Sequence, residues 1–453
     1  MQIIKEKSFY KEFFGIWSML VLYNVITLGV NLADNIMVGS YSEVALSGVS
    51  AINQVQFLFQ QLVMGAGDAV VVMGSQYWGQ KRTDRIKLLS VGALILVAAL
   101  SIFLFLFAAI APELIAGMFS KSPEIRAAAV EYLDTVKYTY LIFALTNILL
   151  AVLRSVETVK IGFWVSLSTL VINCSINYFL IEGNHGAPEL GVTGAAIGTL
   201  AARIVELAIV VVYIFCIDKK LIWKIKEFFI PDRRECAPLV KDYFRIVRPF
   251  LFTSTIFGVS VMLQSVILGH MNDSAIAANS VASTLFQLLK VASIGAASAA
   301  SILIGKAIGS GRMDKIKSYT QTLQIMFIGI GVITSVALFL LKDPIIACYD
   351  LLPETAEMAG QFIIVLCITG FGTAYQMPVN IGIVRGGGDA KFVMINDLIS
   401  IWGIVLPLSF AAAFLFNWSP VVVVFCLNSD QLFKCVAACI KVNRYRWMKK
   451  LTR

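Results

Sequence analysis

Residues 64–87 read MGAGDAVVVMGSQYWGQKRTDRIK, and residues 294–317 read IGAASAASILIGKAIGSGRMDKIK, the same segment written a second time 230 positions later. Gly65 falls on Gly295, Gly79 on Gly309, Arg82 on Arg312, and Asp84, Ile86 and Lys87 on Asp314, Ile316 and Lys317. The match runs back without a gap to Gly39 on Gly269, through Ala45 on Ala275 and Ser50 on Ser280. One position further out of step, at an offset of 231, Arg154 falls on Arg385 and Lys160 on Lys391. A repeat of this length means that the chain is two copies of one unit.

The rest of the sequence says what solvent those copies meet. Of 453 residues, 58% are hydrophobic and only 14% charged, where a soluble globular chain carries about 25% charge. A cytosolic enzyme, a nucleic-acid binder and a disordered hub are excluded on that ratio. A hydrocarbon core is spanned by about 20 apolar residues. Windows of that length place twelve spans near 15–38, 46–76, 88–111, 130–153, 161–181, 191–217, 247–269, 275–305, 319–341, 361–384, 393–416 and 419–440. The first of them follows Lys5, Lys7 and Lys11 but is too long, and lacks the small-x-small pattern, for a cleaved leader.

Basic residues test the count, because cytoplasmic loops collect Lys and Arg. Thirty of the 37 fall in alternate loops and the termini, and only Lys121, Arg126 and Lys342 on the opposite side. Both termini are therefore expected in the cytoplasm. The net charge of +9 reports topology rather than affinity for nucleic acid. Six spans per copy, an even number, gives parallel repeats related by an axis along the membrane normal, an arrangement of alternating-access transporters. The expected organisation is an N-terminal bundle at 1–217, a cytoplasmic linker at 218–246, a C-terminal bundle at 247–440 and a basic tail at 441–453. The linker reads as an amphipathic segment on the inner leaflet or as a solvated connection. The eight cysteines form no CxxC pair and lie mostly in apolar runs, so no disulfide or zinc framework is expected.

An ionisable side chain within hydrocarbon costs about 2.5–3.5 kcal/mol or more and marks function by default. The set is Asp34, Asp68, Lys137, Arg203, Glu206, Lys290, Asp397, Asp430 and Lys434, the last three close enough to span ends to snorkel or face a loop. Asp34 lies about five residues, or 7–8 Å, short of the outer end of the first span. Asn173 and Asn177 share one face of the fifth span and lie in its outer half. Thr199 lies about two turns into the sixth. Four oxygen-bearing side chains thus share a depth. A carboxylate with amide and hydroxyl oxygens suits a hard cation such as Na+, with Asp34, Asn173 and Asn177 as ligands, and the same carboxylate can instead carry a proton. Singly, the amides and hydroxyl are as well explained by bonds between helices, worth about 0.6 kcal/mol each. The acid singles the group out.

Arg203 and Glu206 stand about 60° apart on the helical wheel. They read as a local ion pair, or as Glu206 attracting a cationic substrate or relaying a proton. Asp68 and Lys290 pose the same question. Phe57, Phe59 and Met64 are candidates for an adaptable cavity wall or for ordinary packing. In the second copy Asp34 becomes Gln264, Asn173 becomes Ile404 and Asn177 becomes Leu408, so coupling is expected in the N-terminal half alone.

The doubled segment, ADNIMVG at 33–39, NCSINYFLI at 173–181 with GVTGAAIGT at 191–199, and VRGGGDAK at 384–391 resemble the multidrug and toxic compound extrusion (MATE) transporters over nearly the whole chain. The resemblance implies an all-α integral membrane protein of twelve helices in two pseudo-symmetric bundles. It implies a secondary-active antiporter that exports organic, often cationic, compounds in exchange for Na+ or H+. By motif, Asp34, Asn173, Asn177 and Thr199 fall on the family's cation site. Some members have Asp where this chain has Asn177, which leaves Na+ and H+ both open. The NorM-type branch also has acids in its seventh and tenth spans. Here the stretch after Pro249 reads FLFTSTIFG and the stretch before Arg385 reads TAYQMPVNIGIV, both without one, so NorM-like and DinF-like assignments both stand.

A flippase for lipid-linked precursors is the alternative. Phosphate cargo would call for several cationic side chains in the cavity, and only Arg203, Lys290 and Lys137 are candidates. An enzyme is not expected: His185 and His270 fall in outer loops, and neither HExxH nor GxSxG occurs. The expected partners are small organic molecules and the lipid bilayer of the cell membrane. The chain is expected to act as a monomer without a cofactor, apart from the coupling ion.

Overall fold

The structure, a computed structural model, describes residues 3–120, 122–223, 233–269, 271, 273–347, 349 and 352–452. Among them no strand occurs, and eleven helices are long and apolar enough to cross a membrane. These are α1 (Lys7–Tyr41), α2 (Glu43–Gly79), α3 (Thr83–Ile110), α5 (Lys160–Leu180), α6 (Gly191–Ile217), α7 (Arg233–Gly269), α8 (Asp273–Gly309), α9 (Met313–Ile346), α10 (Pro353–Arg385), α11 (Ala390–Leu415) and α12 (Pro420–Asn443). The twelfth crossing, α4, is a broken pair, Pro123–Val136 and Thr139–Ser155, bent by 53°. Proline sits in the first turn of the first α4 segment, of α10 and of α12, where its missing N–H costs nothing.

The break in α4 corrects one expectation. Lys137 caps the first segment at the bend and pairs with Asp134 at 2.8 Å, whose side chain is 61% exposed, so it is not an isolated charge in hydrocarbon. Residues 224–232, including Lys224 and Lys226, lie outside the described residues, but helix has resumed by Arg233.

The chain forms two compact units: residues 22–74 with 81–251, and residues 1–21 and 75–80 with 252–453. They do not follow the sequence halves, because the start of α1 and the end of α2 are built into the second unit. There α2 meets its own copy. A Cβ on Gly79 would run into the carbonyl oxygen of Lys306, and a Cβ on Gly309 into that of Gln76. Gln76 and Lys306 are also 230 apart, so the two contacts are one contact made twice. Only glycine lets the backbones approach this closely.

The tail is tied into the same unit. Trp447 is fully buried, Lys449 N–H donates to Gly387 O at 2.8 Å, and Gln76 exchanges bonds with the backbone of Lys449 and Leu451 at 3.1 and 2.8 Å. Asp389 accepts from both Lys441 and Lys449 at 2.7 Å. The expected basic tail is thus a packed strap along residues 444–452.

Repeat-related helices expose the same apolar faces. Phe103 and Ile110 on α3 are 70% and 80% exposed, and their counterparts Ile333 and Leu340 on α9 are 70% and 67% exposed. Stripes of this kind suit contact with lipid.

Candidate functional site

Within the first unit, side chains from five helices surround a cavity of about 230 Å³. Asn31, Asp34 and Asn35 reach it from α1, and Asn53, Gln56, Phe57 and Gln60 from α2. Tyr132 enters from α4, Thr169 and Asn173 from α5, and Thr199, Ala202 and Arg203 from α6. Apart from Val30, Phe57 and Ala202 the lining is polar, an unusual wall for a chain whose outer faces are this apolar.

The four residues expected to share a depth do gather. Asn177 Nδ2 donates to Asp34 Oδ1 at 2.5 Å and to Asn173 Oδ1 at 3.4 Å. Thr199 lines the cavity beside them, with its hydroxyl donating to Ala195 O one turn back at 3.1 Å. Asn173 and Asn177 are 2% and 0% exposed, while Asp34 is half-buried at the cavity wall. Asn177 fits where it does because position 198 is glycine: a Cβ there would overlap its amide oxygen. That oxygen is buried and has no hydrogen-bond partner among the described residues, and Gln56 Oε1 is in the same condition. Buried orphan acceptors are costly in a protein interior and rare without a reason.

Arg203 and Glu206 form an ion pair at 2.7 Å within α6. Thr169 donates its hydroxyl to the other carboxylate oxygen at 2.6 Å, and the guanidinium lies 4.9 Å from the Phe143 ring centroid. Of the two, only Arg203 faces the cavity, so the pair is foremost a charge-neutral brace. Asp68 is half-buried on α2 and lines none of this cavity. Phe57 lines it, whereas Phe59 is buried against Tyr140 and Met64 is exposed and does not line it.

The second unit holds charge that the sequence reading placed at span ends. Asp430 and Lys434 lie well inside α12 and are 4% and 3% exposed. Lys434 bridges Asp430 and Asp397 at 2.9 Å each. A chain of amides runs to this triad: Asn380 donates to Gln376 at 3.1 Å, Gln376 to Gln431 at 2.7 Å, and Gln431 to Asp430 at 2.9 Å. Lys290 stands apart from the triad, with the rings of Phe257 and Phe286 each 6.0 Å from its ammonium.

The chain carries the two-block pattern of a known family, since the family model MatE matches residues 20–179 and 249–411, one block in each half. The chain belongs to the MatE family. As a MatE protein it is a multi-pass membrane transporter, and the family is not one of enzymes. The probable multidrug resistance protein NorM of Thermotoga maritima is 24% identical over 387 residues, covering 85% of this chain and 82% of the relative. The uncharacterized transporter YisQ of Bacillus subtilis is 26% identical over 385 residues, covering 83% and 82%. Among solved structures, the Vibrio cholerae MATE transporter VcmN in its bent form matches with a TM-score of 0.83 at 15% identity over 97% of both chains. A transporter of the MOP superfamily from Pyrococcus furiosus matches with a TM-score of 0.85 at 15% identity over 97% of both. At such identity these two likenesses establish the MatE fold alone.

Proposed function

We propose that this MatE protein is a secondary-active antiporter of the cell membrane, with both termini cytoplasmic, that exports organic cations in exchange for Na+ or H+. The observation that carries the reading is Asp34. Among the described residues it is the one carboxylate lining the cavity, set among uncharged oxygens and amides, with Arg203 neutralised by Glu206. A site with one acid binds one cation at a time. A coupling ion and a cationic substrate therefore compete for it, and the competition links their movements. The membrane potential acts only on net charge moved, so a one-for-one exchange of monovalent cations is driven by the concentration gradient of the coupling ion. The phosphate-bearing cargo of a flippase would find no free cation in this cavity, since Arg203 is already paired.

The test is export of a fluorescent organic cation from proteoliposomes with sodium and pH gradients imposed separately. One of the two gradients should drive export, and Asp34→Asn should abolish the drive. Full-rate export by a well-folded Asp34→Asn variant refutes the reading.

A further inference from the structure

The strap at 444–452 is held in the manner of a docked peptide. Trp447 is its anchor, with the ring so close over Gly387 that a Cβ there would strike it. The Lys449 N–H pairs with Gly387 O, and its ammonium with Asp389. Beyond these anchors the strap meets the end of α2. The fully buried Gln76 carboxamide donates to Lys449 O and accepts from the Leu451 N–H, so strap backbone satisfies both its nitrogen and its oxygen. One turn on, Gln80 Nε2 donates to Thr452 Oγ1 at 2.5 Å.

The other copy separates what is general here from what is particular. After α6, Leu221 and Trp223 are also buried, and Lys220 Nζ donates to Val156 O at 2.6 Å. At the offset of 231, Val156 is the counterpart of Gly387. A segment leaving the last helix of each copy thus lies against the same loop. The counterparts of Gln76 and Gln80, however, are Lys306 and Ser310. Lys306 pairs with Glu12 at 2.7 Å, and Ser310 donates to Ala307 O at 3.1 Å. A grip on the end of α2 is therefore what the second strap adds.

That end is also where Gly79 crosses Gly309. The same helix brings Asn53, Gln56 and Gln60 to the Asp34 cavity. We propose that residues 444–452 are a latch on the cytoplasmic gate. Opening the cavity to the cytoplasm takes the end of α2 away from α8, and so out of the grip at Gln76 and Gln80. The strap accordingly favours the state closed on that side. The proposal rests on the antiporter reading, with its cytoplasmic termini, for the side that the gate faces.

The test is electron–electron double resonance on the purified full-length chain in detergent, with the native cysteines replaced by alanine. Spin labels go on Asp84→Cys and Asp314→Cys, two exposed, repeat-related positions just beyond α2 and α8. With the strap intact one short distance should dominate. Gln76→Ala with Gln80→Ala should raise the population at longer distance about tenfold, the scale of two hydrogen bonds lost. Ending the chain after Asn443 should do at least as much. Combining the two changes should open the gate no further than the truncation alone, because both break the same contacts. Thr452→Val, which removes a single acceptor, should give a smaller rise and serves if the truncated chain does not fold. An unchanged distance distribution, additive opening, or a lower melting temperature with no longer distance overturns the proposal. Distances are read without any gradient, so absence of coupled export in liposomes would refute the antiporter reading and leave the grip on α2 standing.

Discussion

Asn177 reaches from the fully buried face of α5 to Asp34 on α1 and donates its amide across 2.5 Å. The bond fixes which face of the amide the carboxylate sees, and it leaves the amide oxygen turned to the backbone at Gly198, without a partner. Replacing Asn177 by Leu keeps the volume and removes the donor. A hydrogen bond to a charged group contributes about 1.5–3 kcal/mol. The expected outcome is a change of roughly tenfold or more in the concentration of coupling ion that half-saturates export. An unchanged value would separate Asn177 from the coupling step.

Gly198→Ala adds one methyl group where the Asn177 amide oxygen lies. The amide must turn or shift, and its bond to Asp34 goes with it. The half-saturating concentration of coupling ion should change as far as in Asn177→Leu while the melting temperature in detergent drops by only a few degrees. A Gly198→Ala protein that exports normally would mean that the amide can move without consequence.

Glu206→Gln leaves Arg203 charged and unpaired in the bundle. Breaking a buried pair from one side costs about 3–5 kcal/mol, whereas replacing both partners with apolar residues is often neutral. The single variant should therefore melt far below the wild type, and Arg203→Met with Glu206→Met should recover most of the loss. If the double variant is as unstable as the single one, the pair is not the brace described above.

Asp389 titrates outside the spans and gives the tail a pH dependence. Burial alone would raise its pKa, but the hydrogen bonds from Lys441 and Lys449 outweigh burial and hold it below the ordinary carboxylate value. A depressed carboxylate adds stability that is complete at neutral pH. The contribution begins to fall below about pH 4, the ordinary value, and is lost as the pH passes the folded one. Hydrogen exchange of residues 444–452, corrected for its intrinsic pH dependence, should be slow at pH 7 and accelerate in acid. Asp389→Asn should show the fast exchange already at pH 7. Equal protection in both proteins would contradict the strap.

Much of this was legible in the sequence for physical reasons. Apolar length fixes spans, so the helix count needed only the bend near Lys137 added, but the repeat did not foretell that the start of α1 and the end of α2 join the second unit. The Asp34, Asn173, Asn177 and Thr199 group was legible because depth along a helix follows from residue count. Asn53, Gln56, Gln60 and Tyr132 were not singled out, since an uncharged polar side chain in a span is as readily a bond between helices. Spacing was the available signal: 53, 56 and 60 recur at helical period beside the 31, 34, 35 cluster. Asp430 and Lys434 were placed too shallow because a long ammonium near a span end is expected to snorkel. Here two carboxylates hold it inside instead. Spacing offered the Arg203–Glu206 pair as one of two readings, and the structure forms it, whereas nothing in the sequence placed Lys290 beside the rings of Phe257 and Phe286.

The glycine crossing constrains how this molecule can change over generations. Because Gly79 abuts the carbonyl opposite Gly309 and the reverse, a side chain gained in either copy collides with the other. Mutation is therefore free to redesign what each bundle holds, as the Asp34 cavity of one and the Lys434 triad of the other attest. The knot where the duplicated segments meet must be inherited intact on both sides.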